Sequence, residues 1–177
     1  MIVETSRFGE LNVSEQDIIT IPEGMLGFSK IDKYVLVEHT DDSLFLWLQA
    51  VKKPSVAFPL LEPQLFELQY KVELCDEDRK ILQLEDLKQA KVFAIITIPN
   101  DPSKMTANLK APIVVNVKKR LARQVILHDQ DYPIRQAIFA DLQRHCATTQ
   151  RTIFPQSEEN TYQIIPISEE IAIPAEL

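Results

Sequence analysis

The sequence predicts an all-β fold, mainly antiparallel, arranged as a barrel-like or sandwich domain with short helical insertions and a C-terminal helix and tail. Three observations carry this. Short runs rich in Ile, Val and Phe recur at hairpin spacing through the first 127 positions, without the alternating helical patterns that a parallel sheet requires. The stretch 106–127, TANLKAPIVVNVKKRLARQVIL, holds two β-branched runs around a short basic link, which reads as a hairpin. FLWLQAV at 45–51 and VFAIITI at 92–98 are apolar on both faces, as strands covered on both sides are. With 177 residues, 45 % of them apolar, the chain suits one globular domain with a real core. The expected division is a domain over 1–146 and a flexible extension over 147–177.

In chain order, residues 1–4, 8–13 and 17–21 form the first three short β patterns, separated by Ser-Arg and Ser-Glu-Gln breaks. PEGMLGF follows. Pro22 presets one turn residue, and Gly24 and Gly27 are free to take positive φ, so Met25, Leu26 and Phe28 are expected to fold back onto the sheet. Strands are expected at 34–38 and 44–51, turning at Asp41-Asp42-Ser43, and again at 56–61. Trp47, inside a continuous apolar run, reads as a core residue. Pro63 suits the first position of a short helix, with Leu61 placed to staple onto Phe66.

Residues 70–74 return to strand-like alternation, and Asp76-Glu77-Asp78 before Arg79-Lys80 orders charge along a short helix in the sense its dipole favours. Pro99 and Pro102 end the strand at 92–98. Proline removes a ladder donor, so the first strand of the long hairpin is expected to start at or just after Pro112. Beyond Pro133 the period changes: Ile134, Ala137, Ile138, Leu142 and Cys146 share a helical face. Helical propensity is a weak prior, and the segment stays open to capture as strand. From Ala147 the chain turns polar, then gives β-like islands at 162–167 and 171–173 broken by prolines, the pattern of a mobile tail with adhesive patches. The YQIIPI island is suited to adding to an exposed sheet edge, in its own molecule or a neighbour's.

Composition excludes more chemistry than it offers. Three glycines are too few for most phosphate loops or dinucleotide fingerprints, so no nucleotide cofactor is expected. A Gly-x-x-Gly pair also occurs in the RNA clamp of KH domains, but that clamp joins two helices, and this one follows a strand beside Glu23. A net charge of −7 opposes broad neutralisation of nucleic-acid phosphates and favours basic partners. Lys118, Lys119, Arg120 and Arg123 form the densest basic cluster; without interleaved aromatics they read as a solvated hairpin tip that discourages edge pairing, not as a nucleic-acid surface. His39, His128 and His145 are scattered without metal-ligand spacing, and the acidic trio at 76–78 lacks the rest of an EF-hand loop, so no metal is expected.

No serine sits in a nucleophile elbow, His128 beside Asp129 reads as a turn residue, and Cys75 and Cys146 lack a cationic neighbourhood. No enzyme is expected, and no side-chain cluster suggests a small-molecule chamber. Two cysteines far apart fit free cytosolic thiols better than a disulfide framework. The start of the chain lacks a secretory pattern and no apolar run approaches membrane-spanning length, so no membrane partner and a cytoplasmic location are expected.

TANLKAPIVVN at 106–116, followed by Arg120 and Gln124-Val125-Ile126-Leu127, resembles the signature of the flagellar assembly factor FliW family. IPEGMLGF at 21–28 resembles that family's glycine turn, FLWLQA at 45–50 its central strand, and 56–70, with AF, EP and a following Tyr, its strand and short helix. The resemblance covers 1–132. It implies a non-enzymatic partner switch: proteins of this family bind flagellin and also CsrA, a small dimeric RNA-binding repressor of translation, and flagellin export frees them to antagonise CsrA away from its RNA surface. Carried over by motif, Asn108, Gln49 and Gln124 are the expected partner-binding residues, and Gly24, Gly27, Phe28, Trp47 and Pro112 the expected structural ones. The implied contact surface is an apolar groove rimmed with acids. The competing readings are a flagellin-specific chaperone without CsrA antagonism and a small-ligand-binding β-barrel.

Overall fold

A computed structural model describes residues 1–41, 43–156 and 161–167. Strands β1 (Ile2–Thr5) and β2 (Gly9–Asn12) form a separate antiparallel ribbon. Then come β3 (Ile19–Thr20), β4 (Lys33–His39), β5 (Leu46–Ala50) and β6 (Ala57–Leu61); helix α1 (Asp76–Leu82); strands β7 (Ala90–Thr97), β8 (Thr106–Asn116), β9 (Leu121–Gln124) and β10 (Gln136–Ala137); helix α2 (Phe139–Thr149); and strand β11 (Tyr162–Ile165). From β3 to β8 each main-sheet strand pairs antiparallel with the next, and β8 turns back onto β9. β9 meets β3 in parallel at Thr20 and Leu121, where Thr20 N–H donates to Arg120 O at 2.9 Å. That contact closes seven strands into a ring.

Closure explains why the central strands are apolar at nearly every position. Ile19, Leu36, Leu48, Leu60, Phe93, Ile113, Val115 and Ala122, drawn from every strand of the ring, share one cluster inside it. Their neighbours point outward and are covered a second time. Val35 and Val37 pack beneath the β1–β2 ribbon with Val3, Phe8 and Leu11. Leu61, Ala94, Ile96 and Val114 pack with Tyr70, Val72, Leu82 and Leu142 on another outer face, which α1 and α2 cover. A strand buried on both faces has no polar alternation to show.

Several expectations need correction. β8 does not begin at Pro112; it runs through it. Its register against β7 jumps from Phe93–Ile113 to Ile95–Asn108, so residues 109–112 bulge opposite Ala94 alone, and within a bulge the donor that proline lacks has no ladder partner to lose. The returning strand lies at Leu121–Gln124, not at 125–127, which instead reach the bulge by Val125 N–H to Pro112 O and Leu127 N–H to Lys110 O, each 2.9 Å.

Residues 70–74 make no ladder. Their backbone is served by side chains: Gln130 Nε2 donates to Lys71 O, Gln130 Oε1 accepts from Glu73 N–H, and the Tyr132 hydroxyl accepts from Lys71 N–H. Asp17 closes a 3-10 turn instead of starting a strand. α2 begins at Phe139, later than Pro133, because Gln136 and Ala137 are captured as a two-residue strand on Ala107 and Thr106 of β8. Trp47 is half-buried on the outer face, edge-on to Phe8 at 5.8 Å with the Arg7 guanidinium 4.2 Å above its ring, and is not a fully buried core residue.

Of the expected extension, Tyr162–Ile165 pair with β4 as β11, antiparallel and in register from Tyr162–His39 to Ile165–Leu36. Residues 162–165 of the island expected at 162–167 are therefore in the sheet, and the island at 171–173, like Asp42 of the expected turn, lies outside the described residues.

Candidate partner-binding surface

The glycine turn is built by backbone geometry that only glycine tolerates at one position. Gly24 and Gly27 have φ of +69° and +83°. A Cβ on Gly24 would lie 2.5 Å from Phe28 O and 2.7 Å from Ser29 Cα, whereas one on Gly27 meets open space. Hydrogen bonds from Gly24 N–H to Ile21 O at 2.9 Å and from Phe28 N–H to Met25 O at 2.7 Å fold the loop tightly. Of the three apolar residues expected to fold back, Met25 does and is buried, Phe28 lies edge-on to Phe58 at 5.2 Å, and Leu26 stays 57 % exposed.

Motif residues far apart in sequence join in holding that turn. Asn108 Oδ1 accepts from Lys110 N–H and Ala111 N–H, both at 3.1 Å, and so fixes the β8 bulge. The bulge carbonyl of Ala111 accepts from Gln124 Nε2 at 3.3 Å, and Gln124 Oε1 accepts from Leu26 N–H at 2.9 Å. Buried Pro112 directly follows Ala111 in the bulge. The amides thus connect the bulge, β9 and the exposed tip of the turn.

Beside this turn lies an open groove of about 330 Å3 between 23–29, the start of α1 and β9. Leu26 and the 40 % exposed Ile126 give it an apolar lining, and the exposed Glu23 and Glu77 stand at its rim. Arg123 crosses the floor, with Nη2 3.3 Å from Glu23 and Nη1 3.4 Å from the buried Asp78. Asp78 Oδ2 in turn accepts from Cys75 N–H at 3.1 Å, capping α1, so the Arg123–Asp78 pair ties the start of that helix to β9. The expected basic cluster is therefore divided. Lys118, Lys119 and Arg120 are exposed at the hairpin tip, and Arg123 is absorbed by two carboxylates.

Gln49 departs from its expected place among contact residues. Its side chain is fully buried, and Nε2 donates to Ala50 O at 3.0 Å and Val56 O at 3.1 Å, locking the β5–β6 turn and leaving no surface for a partner. Trp47 lines a second, outer groove of about 520 Å3 with Phe45, Pro59, Phe154 and Tyr162. Sequence reasoning missed Leu26, Ile126, Glu23 and Glu77 as a set; only the closed ring brings 23–29 against 123–128.

Among the described residues no group of three or more His, Cys, Asp and Glu side chains is placed to hold a metal ion, and no helix is long and apolar enough to cross a membrane. The ring and its acid-rimmed surface groove define a β-sheet protein that presents a shaped exterior. The FliW protein family model matches residues 2–138, and the chain belongs to the FliW family.

Its relatives include a flagellar assembly factor FliW of Bdellovibrio bacteriovorus, 48 % identical over 144 residues covering 81 % of this chain and 82 % of that one. Another, from Ruminiclostridium cellulolyticum, is 41 % identical over 145 residues, 81 % of this chain and 98 % of that one. A crystal structure of the flagellar assembly factor FliW superposes with a TM-score of 0.74 at 32 % identity, covering 78 % of this chain and 97 % of that one.

Proposed function

We propose that the protein is a non-enzymatic partner switch in flagellar assembly. It acts in the cytoplasm, binds flagellin and CsrA in turn through the 1–146 domain, and antagonises CsrA when flagellin has been exported. The observation that supports this is the groove at the glycine turn, where exposed Leu26 and Ile126 are flanked by Glu23 and Glu77. Such a surface suits an apolar segment of a basic partner, with charge setting encounter and choice and the apolar anchors setting lifetime. Asn108 and Gln124 act in this reading by holding the turn, and Leu26 and Ile126 touch the partner. A switch needs differential affinity, and each tenfold preference corresponds to about 1.4 kcal/mol, within the range of one buried anchor.

Calorimetric titration with CsrA, repeated after saturation with flagellin, tests the reading. Tight binding that flagellin abolishes is the expected result. Binding that flagellin leaves unchanged would mean separate sites. No binding to CsrA would leave a flagellin chaperone.

A further inference from the structure

β4 is a seven-residue strand whose second edge is shared by two short ones. β3 covers it at Lys33 and Tyr34, and β11 covers it from Leu36 to His39. The family match ends at residue 138, and the R. cellulolyticum and solved FliW chains are already covered over 98 % and 97 % of their own lengths. β11 therefore lies beyond the part of the chain that the family model matches. An uncovered strand edge is a template for pairing with another chain, and this protein fills that edge with a segment of its own.

The way β11 sits shows what the edge accepts. Ile165, with Ile167 beyond it, is buried in the cluster inside the ring. Tyr162 and Ile164 point to the opposite face, packing with the cluster of Phe8, and the Tyr162 ring meets Phe8 at 4.7 Å and His39 at 5.0 Å. Gln163 is exposed and donates from Nε2 to Glu38 Oε1 at 2.7 Å. The slot therefore takes an extended segment with apolar residues at alternate positions and a donor opposite the Glu38 carboxylate. A lysine or arginine there would add opposite charge where β11 supplies a neutral amide. β11 is only four residues long and is followed by Pro166, so its ladder on β4 is short.

We propose that the 36–39 edge of β4 is a strand-addition site for an extended segment of a partner protein, apolar at alternate positions and basic opposite Glu38, with β11 as its built-in competitor. The site is separate from the groove at Leu26 and stands whether or not the partners named above are right.

The test uses the full chain and a labelled peptide of residues 161–167, in its native form and with Lys or Glu in place of Gln163. The Lys peptide should bind about threefold tighter than the native one and the Glu peptide about threefold weaker at low salt, the size of an exposed ion pair, with the spread shrinking as salt rises. Amide exchange should show β11 released while 36–39 stays protected. A chain carrying Glu38→Cys with Gln163→Cys should refuse the native peptide when oxidised and bind it when reduced. Peptide binding that ignores the residue at 163, or equal binding by the oxidised and reduced chains, would overturn the proposal. So would concentration-dependent dimers that vanish on oxidation, which would assign the edge to exchange between copies of this chain.

Discussion

Gln124 and Leu26, 98 positions apart, meet in a hydrogen bond of 2.9 Å from the backbone of the turn to the side chain of β9. A single amide therefore sets where the more exposed of the groove's two apolar side chains stands. Gln124→Ala should lower stability by about 1 kcal/mol, the usual size of a lost hydrogen bond. Partner affinity should fall further than that loss alone explains. Denaturant midpoints measured beside calorimetric affinities would separate the two effects, and equal losses in both would deny Gln124 its positioning role.

The two glycines of the turn should respond differently to a methyl group. Gly24→Ala adds a Cβ against backbone atoms as close as 2.5 Å, on top of its positive φ, and should cost about 3 kcal/mol. Gly27→Ala meets open space and should cost about 1 kcal/mol, from backbone conformation alone. Urea midpoints of the two variants give the comparison.

Leu26→Asp and Ile126→Asp replace exposed apolar side chains, so each should leave stability within about 0.5 kcal/mol. Each should weaken a partner that docks in the groove by tenfold or more. Unchanged affinity for both flagellin and CsrA in these variants would move the contact surface elsewhere.

Asn108→Ala removes one acceptor that serves two backbone N–H groups of the bulge. The chain should still melt cooperatively, with a loss of about 1–2 kcal/mol. Partner binding should weaken with it, because Ala111 no longer anchors Gln124. Loss of the cooperative transition would make Asn108 a residue on which the fold itself depends.

Asp41 gives the chain an acid-sensitive joint. Burial works to raise its pKa, but the N–H groups of Gln156 and Ser43 and the adjacent His39 outweigh it, and the carboxyl is held below its ordinary value. Asp41 Oδ2 accepts from Gln156 N–H at 2.9 Å, so the carboxylate ties the segment leading to β11. A depressed pKa contributes stability above the unfolded value of about 3.9, and the contribution disappears as pH falls through the lower folded value. Asp41→Asn should therefore flatten the acid limb of the stability profile. Stability curves for both proteins between about pH 2 and 6 would show it, and parallel limbs would count against it.

How much was legible in the sequence differed from element to element. The runs at 92–98 and 113–117 announced themselves because β-branched residues covered on both faces leave no helical period. The glycine turn was legible from Pro22, Gly24 and Gly27, but that Gly24 alone has no room for a Cβ follows from the backbone of Phe28 and Ser29 packed against it. Pro112 misled, since its missing donor matters only in a ladder, and the bulge opposite Ala94 is a property of two strands together. Residues 70–74 alternate as a strand does, yet their partners are the side chains of Gln130 and Tyr132, which carry no periodic mark. Gln49 was legible as a motif residue but not as a buried one, because an amide that caps a turn and an amide that grips a partner have the same donors and acceptors. The groove escaped notice for a similar reason: Leu26 and Ile126 become neighbours only through ring closure.

That closure, a single parallel pair between Thr20 and Leu121, also sets the order of events during synthesis. The β8–β9 hairpin is local and can form within its own stretch of chain, but the seam joins segments a hundred positions apart. Until Leu121 has been made, β3 lacks its partner at the seam and the ring stays open. The ring therefore cannot close before that late segment is made, and the seam, joining distant segments, costs more loop closure than the local hairpins between successive strands do.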